Sequence, residues 1–463
     1  MPKSTDTHAS GARIAAASLA AVLLAATVQP SNAGPFNWFK GGAGRDNNQT
    51  QNSPQPDTGS GGGGGLFGGL FGGGSSLRTE SHDSHKSDLP LGDPEVAMIV
   101  NPALSTPTLA TQNIAATQAA IQKYKGIVAQ GGWPKVPAVA MKPGSSGPEI
   151  VTLHRRLEIG GDLVGMSVPE QYDAAVVAAV KRFQARHGLP PTGVIDSKAT
   201  VEALNVPANV RLAQLQGSLT RLRKLAPRTG SRYVLVNIPA AQVEAVEGGR
   251  VTQRQAAVVG KIERPTPELS SKINQIKFNP YWYVPRSIIH KDLVPKGRQF
   301  AQKGQDMLAA YHMEAFDSQG NPLDARQIDW FGEAVYTYNF RQQPWEENSL
   351  GFVKIDFPNK DAVYLHDTPL KSLFGKAVRF ESSGCVRVHN VDDLVAWILR
   401  GNPDWNLSRI DSMKRNGQQV NVPTSKIPVH LAYISAWATP DGRVHFRPDI
   451  YNHDTAGAYA SAY

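Results

Sequence analysis

Cysteine is nearly absent from this chain, where Cys385 is the only one among 463 residues. A single cysteine cannot form a disulfide within the chain, so the role of its side chain must be either packing or chemical reactivity. The chain also contains neither the H-E-x-x-H pattern of zinc hydrolases nor the glycine-rich P-loop of nucleotide-binding proteins. These absences exclude two recognisable kinds of site and leave the thiol as the leading candidate for chemistry.

A long hydrophobic run near the N-terminus is also lacking. The apolar stretch at residues 14–28 is about fifteen residues long, whereas a membrane-spanning helix needs about 20. Lys3 and Arg13 precede the stretch, and Ser31-Asn32-Ala33 offers small residues for cleavage. We predict a signal peptide over residues 1–33, cleaved after Ala33, so that no stable membrane anchor remains. The alternative is an uncleaved anchor, and both imply export.

Acidic residues are outnumbered, because 39 Asp and Glu against 48 Lys and Arg give a net charge of +9. This balance suits an anionic polymer or surface as the partner. The basic residues are scattered, however, and no basic stripe interleaved with aromatic residues is present. We therefore expect no nucleic-acid partner.

Residues 34–92 are predicted to be a disordered linker. Runs of Asn and Gln are followed by a nearly pure glycine segment at residues 59–76, and glycine-rich chain behaves as a flexible tether. The run Ser81-His82-Asp83-Ser84-His85 is either a metal-chelating segment or, as we expect in a tether, a solubilising one.

Helical patterns follow the linker. Thr106-Pro107 is predicted to begin a helix that Gly131-Gly132 ends, and residues 211–225 form a second helix with leucines on one face. These helices belong to a predicted scaffold over residues 93–146 and 205–230. Between them, residues 147–204 are predicted to form three short helices.

The three-helix segment resembles a known domain. Ala179-Val180-Lys181-Arg182-Phe183-Gln184 is followed by Gly188-Leu189 and Thr192-Gly193, a combination similar to the small peptidoglycan-binding domain found beside many cell-wall enzymes. The resemblance implies glycan binding, although such modules also serve as structural spacers. An unrelated three-helix bundle would have the same apolar positions.

From residue 233 the apolar pattern becomes that of strands. Strands are predicted at residues 233–238, 255–259, 276–278, 352–357 and 362–365, a helix at 391–399 and a closing hairpin within 429–446. An insertion at about residues 288–350 has a helical and mixed pattern and is a candidate lid. We predict a β-domain over residues 231–425 and a C-terminal hairpin and tail over residues 426–463.

The lone cysteine stands in Ser382-Ser383-Gly384-Cys385-Val386-Arg387. A free thiol has a pKa of about 8.5 and needs a base to become a nucleophile. We expect His366 to be that base, with His389 as the competing histidine. Gly384 lets the main chain approach a substrate, so the amides of Ser383 and Gly384 are expected to stabilise an oxyanion.

Two further side chains are expected beside the thiol. Tyr364 shares a strand face with His366, because residues two apart point the same way, and it either lines the pocket or packs. If the chain is extended, Arg387 projects beside Cys385, where its guanidinium would hold a substrate carboxylate in a fork. The alternative is that Arg387 is exposed to solvent.

These residues resemble the catalytic motif of the L,D-transpeptidases, the YkuD-type fold. The likeness lies in His366-Asp367-Thr368-Pro369 and Ser382-Ser383-Gly384-Cys385-Val386-Arg387-Val388, although the commoner family form has glycine and histidine in place of Asp367 and Ser383. Asn279-Pro280-Tyr281-Trp282-Tyr283-Val284-Pro285 is similar to the larger Gram-negative branch. The resemblance implies a multidomain protein with a mainly-β YkuD-type catalytic domain, a helical capping insertion, a small three-helix peptidoglycan-binding domain and a helical scaffold.

The resemblance also implies an activity. Cys385 would attack a stem tetrapeptide with loss of D-Ala, and an amine of a second stem would resolve the thioester into a 3→3 cross-link. His366 would be the general base and acid, oriented by the backbone carbonyl of Asp367. Peptidoglycan stem peptides and glycan would be the partners, the location periplasmic, carbapenems inhibitors, and no cofactor needed. Three residues would bind substrate: Arg387, Tyr364 and Trp282.

Other outcomes of the same chemistry stay open. Water in place of the amine would make the chain an L,D-carboxypeptidase or a cross-link-cleaving amidase, and a lysine acceptor would attach a protein to the wall. A catalytically inactive cell-wall-binding protein is a further alternative, against which the intact Cys385, His366 and Arg387 argue. A papain-like protease does not fit, because its histidine follows the cysteine, whereas His366 precedes Cys385.

Overall fold

The computed structural model describes residues 106–455. The predicted signal peptide, the linker and the first scaffold residues lie outside the described residues, as does the end of the tail. Within 106–455 no helix is both long and apolar enough to cross a membrane. The predicted fold class is confirmed, because a helical scaffold and a three-helix domain accompany a mainly-β domain with an inserted cap.

Helices and strands are numbered here in chain order. The helices are α1 (Gln112–Ala129), α2 (Pro148–Gly160), α3 (Ala174–Arg186), α4 (Lys198–Asn205), α5 (Ala208–Leu225), α6 (Arg286–Ile288), α7 (Val294–Gln302), α8 (Met307–Ala310), α9 (Val391–Leu399) and α10 (Leu407–Asn416). The strands are β1 (Arg232–Asn237), β2 (Gln242–Glu247), β3 (Arg250–Gly260), β4 (Leu269–Phe278), β5 (Trp282–Tyr283), β6 (Met313–Phe316), β7 (Pro322–Leu323), β8 (Asn339–Gln342), β9 (Val353–Asp356), β10 (Leu365–His366), β11 (Phe380–Ser382), β12 (Val386–Val388), β13 (Val420–Ala432), β14 (Ala436–Ala438) and β15 (Val444–Phe446).

Helices α1 and α5 pack on each other and on the hairpin β14–β15. The start predicted at Thr106-Pro107 is wrong, because α1 begins at Gln112. The backbone N–H and the hydroxyl of Thr108 donate to the buried Glu244 carboxylate at 3.0 and 2.9 Å, which holds this segment outside the helix. Gly131 and Gly132, both with positive φ, follow the helix as predicted.

Helices α2, α3 and α4 enclose an apolar core of their own. The side chain of Asp173 caps α3 by accepting from the Val176 N–H at 2.9 Å. Gln184 is buried and accepts from the Gly193 N–H at 2.9 Å. The Phe-Gln and Thr-Gly parts of the recognised pattern are therefore joined by a hydrogen bond that fixes the fold of this domain.

The β-domain is built on a nine-stranded sheet with the order β11-β3-β12-β10-β9-β4-β13-β1-β2. Strand β2 also pairs with β3, so the sheet closes on itself. The pairs β1–β13, β10–β12 and β3–β11 are parallel. Val, Ile and Leu side chains from these strands fill one core together with α9 and α10, and this core holds the strands that carry the predicted site.

Two boundaries in this domain differ from the sequence prediction. The strand expected at residues 362–365 is Leu365–His366, because Ala362 has a φ of 52° and cannot continue a strand. The sheet also continues past the boundary predicted at residue 425, since β13 runs to Ala432 between β4 and β1. Only β14 and β15 form the C-terminal hairpin.

The insertion is a cap with its own apolar core, which extends from Trp282 to Leu350. It contains α6 to α8 and also a four-stranded sheet with the order β5-β8-β6-β7, so strands accompany the predicted helices. The strands that flank the cap, β4 and β9, are neighbours in the large sheet. The cap is therefore anchored on two neighbouring strands, and one of them, β9, pairs with β10, where His366 lies.

Candidate active site

Strands β10 and β12 bring the predicted site residues together. They pair in parallel, with Leu365 opposite Val386 and His366 opposite Arg387. Leu365 and Val386 point into the core, so the residues that alternate with them point away from it. Four predicted residues therefore share the opposite face: Tyr364, His366, Cys385 and Arg387.

The turn before Cys385 is held by side-chain hydrogen bonds. Ser382 Oγ accepts from the Gly384 N–H at 3.1 Å and donates to the Cys385 carbonyl, and Thr266 Oγ1 donates to the Gly384 carbonyl at 2.8 Å. Gly384 has a φ of 114°, which favours glycine. The Gly384 N–H, one of the two predicted oxyanion donors, is therefore already bonded. The N–H groups of Ser383, the other predicted donor, and of Cys385 donate to no other described residue.

An ion pair connects this turn to the cap. Arg264 Nη1 donates to Ser383 Oγ at 2.9 Å, and the same guanidinium pairs with the Asp292 carboxylate in the cap. The side chains of Arg264 and Asp292 are only 14% and 15% exposed, which reduces the screening of their attraction by solvent. The sequence pattern gave no signal for either residue, because they are far from Cys385 in the chain.

The thiol of Cys385 is half-buried, and burial raises its pKa above the ordinary value. Hydrogen bonding from Tyr364 and the positive charges of Lys354 and Arg387 oppose that rise. The protonated thiol is therefore the resting form at neutral pH, while the groups around it stabilise the thiolate once it forms.

Tyr364 connects the thiol to the cap. Its hydroxyl hydrogen-bonds to Cys385 and to Trp282, and burial is the largest cause that raises the Tyr364 pKa well above its usual value. The phenol consequently stays protonated and can donate to the sulfur. Trp282 itself is 4% exposed within the cap core, which leaves little surface for a substrate, so its link to the site runs through Tyr364.

His366 is buried, with its ring 5.6 Å from that of Tyr364 in an edge-on arrangement. Burial lowers the pKa of His366 to about 3, and the charges of Arg387 and Lys354 act in the same direction. The imidazole is thus neutral and able to accept a proton at neutral pH. Nδ1 has no hydrogen-bond partner among the described residues, although the Asp367 backbone favours the protonated ring. The orienting role of the Asp367 carbonyl stays a prediction.

The Asp367 side chain has a structural task of its own. Its carboxylate accepts from Lys371 Nζ at 2.6 Å and from the Phe352 N–H at 3.1 Å, and its backbone N–H donates to the Val353 carbonyl at 3.0 Å. These bonds fix the chain directly after His366. An aspartate in place of the family's commoner glycine is therefore accommodated without disturbing β10.

Arg387 is buried at 8% exposure, so the solvent-exposed alternative is wrong. Its Nε and Nη1 atoms make no hydrogen bond to any described residue. Burial lowers the Arg387 pKa to about 10, which still leaves the guanidinium charged at neutral pH. A buried cation with two unused donors beside Cys385 is suited to an incoming carboxylate.

Lys354 is a site residue that the sequence analysis did not identify. It lies on β9 directly opposite His366, and its Nζ stands 4.1 Å from the centre of the Tyr364 ring. Its charge lowers the pKa values of both Cys385 and His366. Lys354 pairs with Asp356 at 2.9 Å, and Lys277 pairs with the same carboxylate at 2.8 Å.

We expect Lys354→Met to raise the pKa of the Cys385 thiol, because the substitution removes a cation that favours the thiolate. The pH dependence of alkylation by iodoacetamide measures the shift. Lys277→Met is the matched control, since it removes the other partner of Asp356 from the neighbouring strand. An unchanged alkylation profile in Lys354→Met, or an equal shift in both variants, would contradict the assignment.

The competing histidine, His389, packs its ring 5.1 Å from that of Phe374. Its backbone N–H donates to the Ala256 carbonyl on β3. His389 therefore contacts other residues than His366 does. In the part of the chain that the structure describes, no group of three or more His, Cys, Asp or Glu is arranged to hold a metal ion.

Comparisons with known families divide the chain as the fold does. Residues 231–422 match the model of YkuD, the L,D-transpeptidase catalytic domain. Residues 146–204 match the model described as "Putative peptidoglycan binding domain". The first match covers the β-domain as far as the start of β13, and the second covers the domain formed by α2, α3 and α4.

Individual proteins are similar over part of the chain. A Haemophilus influenzae protein named "Putative L,D-transpeptidase" is 33% identical over 223 residues, which are 48% of this chain and 44% of that protein, so the match spans less than half of the relative's length. The match to the crystal structure of an L,D-transpeptidase from Stackebrandtia nassauensis includes 65% of this chain and 96% of that chain, with 14% identity and a TM-score of 0.24. The match to the structure of an L,D-transpeptidase from Mycobacterium smegmatis includes 44% of this chain and 58% of that chain, with 14% identity and a TM-score of 0.20.

Proposed function

We propose that the protein forms 3→3 cross-links between peptidoglycan stems, because residues 231–422 match the L,D-transpeptidase catalytic domain and residues 146–204 match a peptidoglycan-binding domain. The observation that supports this most directly is the shared face of Tyr364, His366, Cys385 and Arg387, fixed by the pairing of β10 with β12. A base, a thiol and a cation then face one substrate site.

In the first half of the proposed reaction, neutral His366 accepts the proton of the Cys385 thiol as the sulfur attacks the carbonyl carbon between residues three and four of a stem tetrapeptide. The N–H groups of Ser383 and Cys385 are the donors available to the resulting oxyanion. The carbonyl re-forms, the peptide C–N bond breaks, and protonated His366 returns the proton to the departing D-Ala amine. A thioester on Cys385 remains.

In the second half, the side-chain amine of a diamino acid on another stem attacks the thioester carbon. His366 takes the amine proton, the C–S bond breaks, and the proton returns to the sulfur. Lys354 and Arg387 stabilise the thiolate that leaves, because both charges lower the pKa of Cys385. The products are one new amide cross-link and the regenerated thiol.

Arg387 and the cap would select the substrate. The two unused donors of Arg387 suit the carboxylate of a stem peptide, and the cap is held beside the site by Arg264–Asp292 and by the bond from Trp282 to Tyr364. We propose in addition that the signal sequence directs the protein to the periplasm, where stems are found, and that carbapenems acylate Cys385 in place of a stem.

The proposed reaction is tested by incubating the protein that lacks only the predicted signal, residues 1–33, with purified disaccharide-tetrapeptide and recording a mass spectrum. We expect a dimer that lacks one D-Ala. Free disaccharide-tripeptide as the sole product would contradict transfer and indicate an L,D-carboxypeptidase. Unchanged tetrapeptide under conditions where the protein is folded would contradict both activities.

A further inference from the structure

A charged cavity of about 530 Å³ lies where three parts of the chain meet. Helix α1, the three-helix domain and the turn between β14 and β15 each supply part of its wall. Cavities of several hundred Å³ between structural units are a common setting for small-molecule sites. None of the lining residues belongs to the active site described above.

Basic side chains dominate the wall of this cavity. Lys123 and Lys181 form no ion pair with a described residue. Arg443 stands 3.5 Å from Asp441, and both side chains are about half exposed, so this pair is weak. Arg182 is held toward the same wall because its Nε donates to the Asp162 carbonyl at 2.9 Å.

The buried acidic side chain among the lining residues, that of Asp162, does not offset these charges. Both oxygens of Asp162 accept from Arg186 at 2.6 Å in a buried bidentate pair. That pair is internally neutral, and Arg186 also donates to the Val444 carbonyl at 3.3 Å, which ties the three-helix domain to β15. The cavity thus lies where the three-helix domain is hydrogen-bonded to β15, and its lining residues carry an excess of positive charge.

A buried polar atom without a partner also lies in this wall. His445 is 3% exposed and stacks on Trp437 with ring centres 4.9 Å apart, and its Nδ1 has no hydrogen-bond partner among the described residues. Burial and the charges of Arg447 and Arg443 lower its pKa to about 3, so the ring is neutral. An unsatisfied buried nitrogen is costly, and a ligand oxygen would relieve that cost.

We propose that this cavity binds a carboxylate-bearing stem of peptidoglycan at a place separate from Cys385. The basic side chains supply the charge complementarity for a carboxylate, and His445 supplies a neutral hydrogen-bonding group. The proposal rests on the proposed function for the identity of the polymer, but not for any chemistry at the thiol. A second stem site formed partly by the peptidoglycan-binding domain would hold a wall strand while another stem reacts.

The location is tested by lysine footprinting on the full-length protein after Cys385 has been alkylated, so that no turnover occurs. Acetylation of each lysine is measured by mass spectrometry with and without disaccharide-tetrapeptide. We expect protection of Lys123 and Lys181, and none of Lys125, an exposed lysine on α1 that does not line the cavity. Equal labelling of Lys123 and Lys181 with and without the fragment would overturn the proposal.

The source of the anion is tested in parallel with inorganic phosphate at the same concentration and ionic strength. Protection by the disaccharide-tetrapeptide but not by phosphate supports a stem site. Equal protection by phosphate would overturn the assignment to peptidoglycan, because the cavity would then bind small anions without regard to their source. Because Cys385 is alkylated, failure of transpeptidation and failure of this site give separate results.

Affinity is tested with Lys123→Ala and Arg443→Ala, both at exposed positions. Each variant should weaken the binding of disaccharide-tetrapeptide to the alkylated protein by about tenfold, the loss expected for one charge-assisted hydrogen bond. Lys125→Ala should bind as the parent does. Without alkylation, Lys123→Ala and Arg443→Ala should be acylated at Cys385 by a carbapenem as fast as the parent. Unchanged affinity of both variants for disaccharide-tetrapeptide, or an equal loss of affinity in Lys125→Ala, would overturn the proposal.

Discussion

The Cys385→Ala protein is expected to form no thioester with a stem tetrapeptide or a carbapenem. Cys385 is the only cysteine in the sequence, so no other thiol can replace it. Turnover should fall by on the order of 10⁴-fold or more, as removal of a catalytic nucleophile does elsewhere. Alanine keeps the β-carbon at a half-buried position, so the free energy of unfolding should change by only about 1 kcal/mol.

Intact-protein mass spectrometry measures the adduct, and urea unfolding checks the fold. Ser383→Ala is the matched control in the same turn, because it removes the hydroxyl that accepts from Arg264 at 2.9 Å but keeps the backbone N–H. We expect Ser383→Ala to retain activity within about tenfold, the cost of one hydrogen bond to a charged group. An adduct on Cys385→Ala would show that the nucleophile is another residue.

The sequence located the thiol, its arginine and the histidine because each belongs to a short local pattern. Val391–Leu399 was predicted with its observed limits, and the three helices within residues 147–204 were predicted from the spacing of their apolar residues. In these segments the local pattern and the tertiary packing favour the same structure. Such agreement is what makes a segment predictable from sequence.

Residues that act across strands could not be predicted in the same way. Lys354 becomes a neighbour of His366 only through the antiparallel register of β9 with β10, and Arg264 reaches Ser383 across 119 residues of chain. A lysine on a strand or an arginine in a loop has no distinctive local pattern. The roles of Lys354 and Arg264 follow from the pairing of the strands and from the position of the cap. The spacing of residues along the sequence does not specify either of these.

Local patterns were also overridden by distant contacts. The Thr-Pro signal for a helix start at Thr106-Pro107 did not decide the structure, because Thr108 bonds to Glu244, 136 residues away. Similarly, the left-handed backbone of Ala362 shortens the strand that carries His366 to two residues. In both places a tertiary contact or turn outweighs a weak local propensity.

The second large effect is expected for His366→Gln, which should slow acylation of Cys385 at pH 7 by about 10² to 10⁴-fold, the usual contribution of a general base. The parent protein holds a neutral imidazole on the same strand face as a protonated thiol, because burial lowers the pKa of His366 to about 3 and raises the pKa of Cys385. Proton transfer can therefore accompany attack at any pH where both groups are in these forms.

The pH dependence distinguishes loss of a base from structural damage. Without His366 only the thiolate present before attack can react, and its fraction rises about tenfold per pH unit below the thiol pKa. Acylation of His366→Gln by a carbapenem should consequently increase with pH and approach the parent rate as the thiol ionises. The parent should show a much flatter profile from weakly acidic to neutral pH, because His366 stays uncharged there.

His389→Gln is the matched control, since it alters the competing histidine, which packs against Phe374. Per folded molecule, as measured by urea unfolding, its acylation rate and pH profile should resemble those of the parent. A steep pH profile in His389→Gln and a flat one in His366→Gln would exchange the two assignments. If the acylation rate recovers at high pH in His366→Gln and in no other variant, His366 is identified as the base, because a misfolded site would not regain its acylation rate when the thiol ionises.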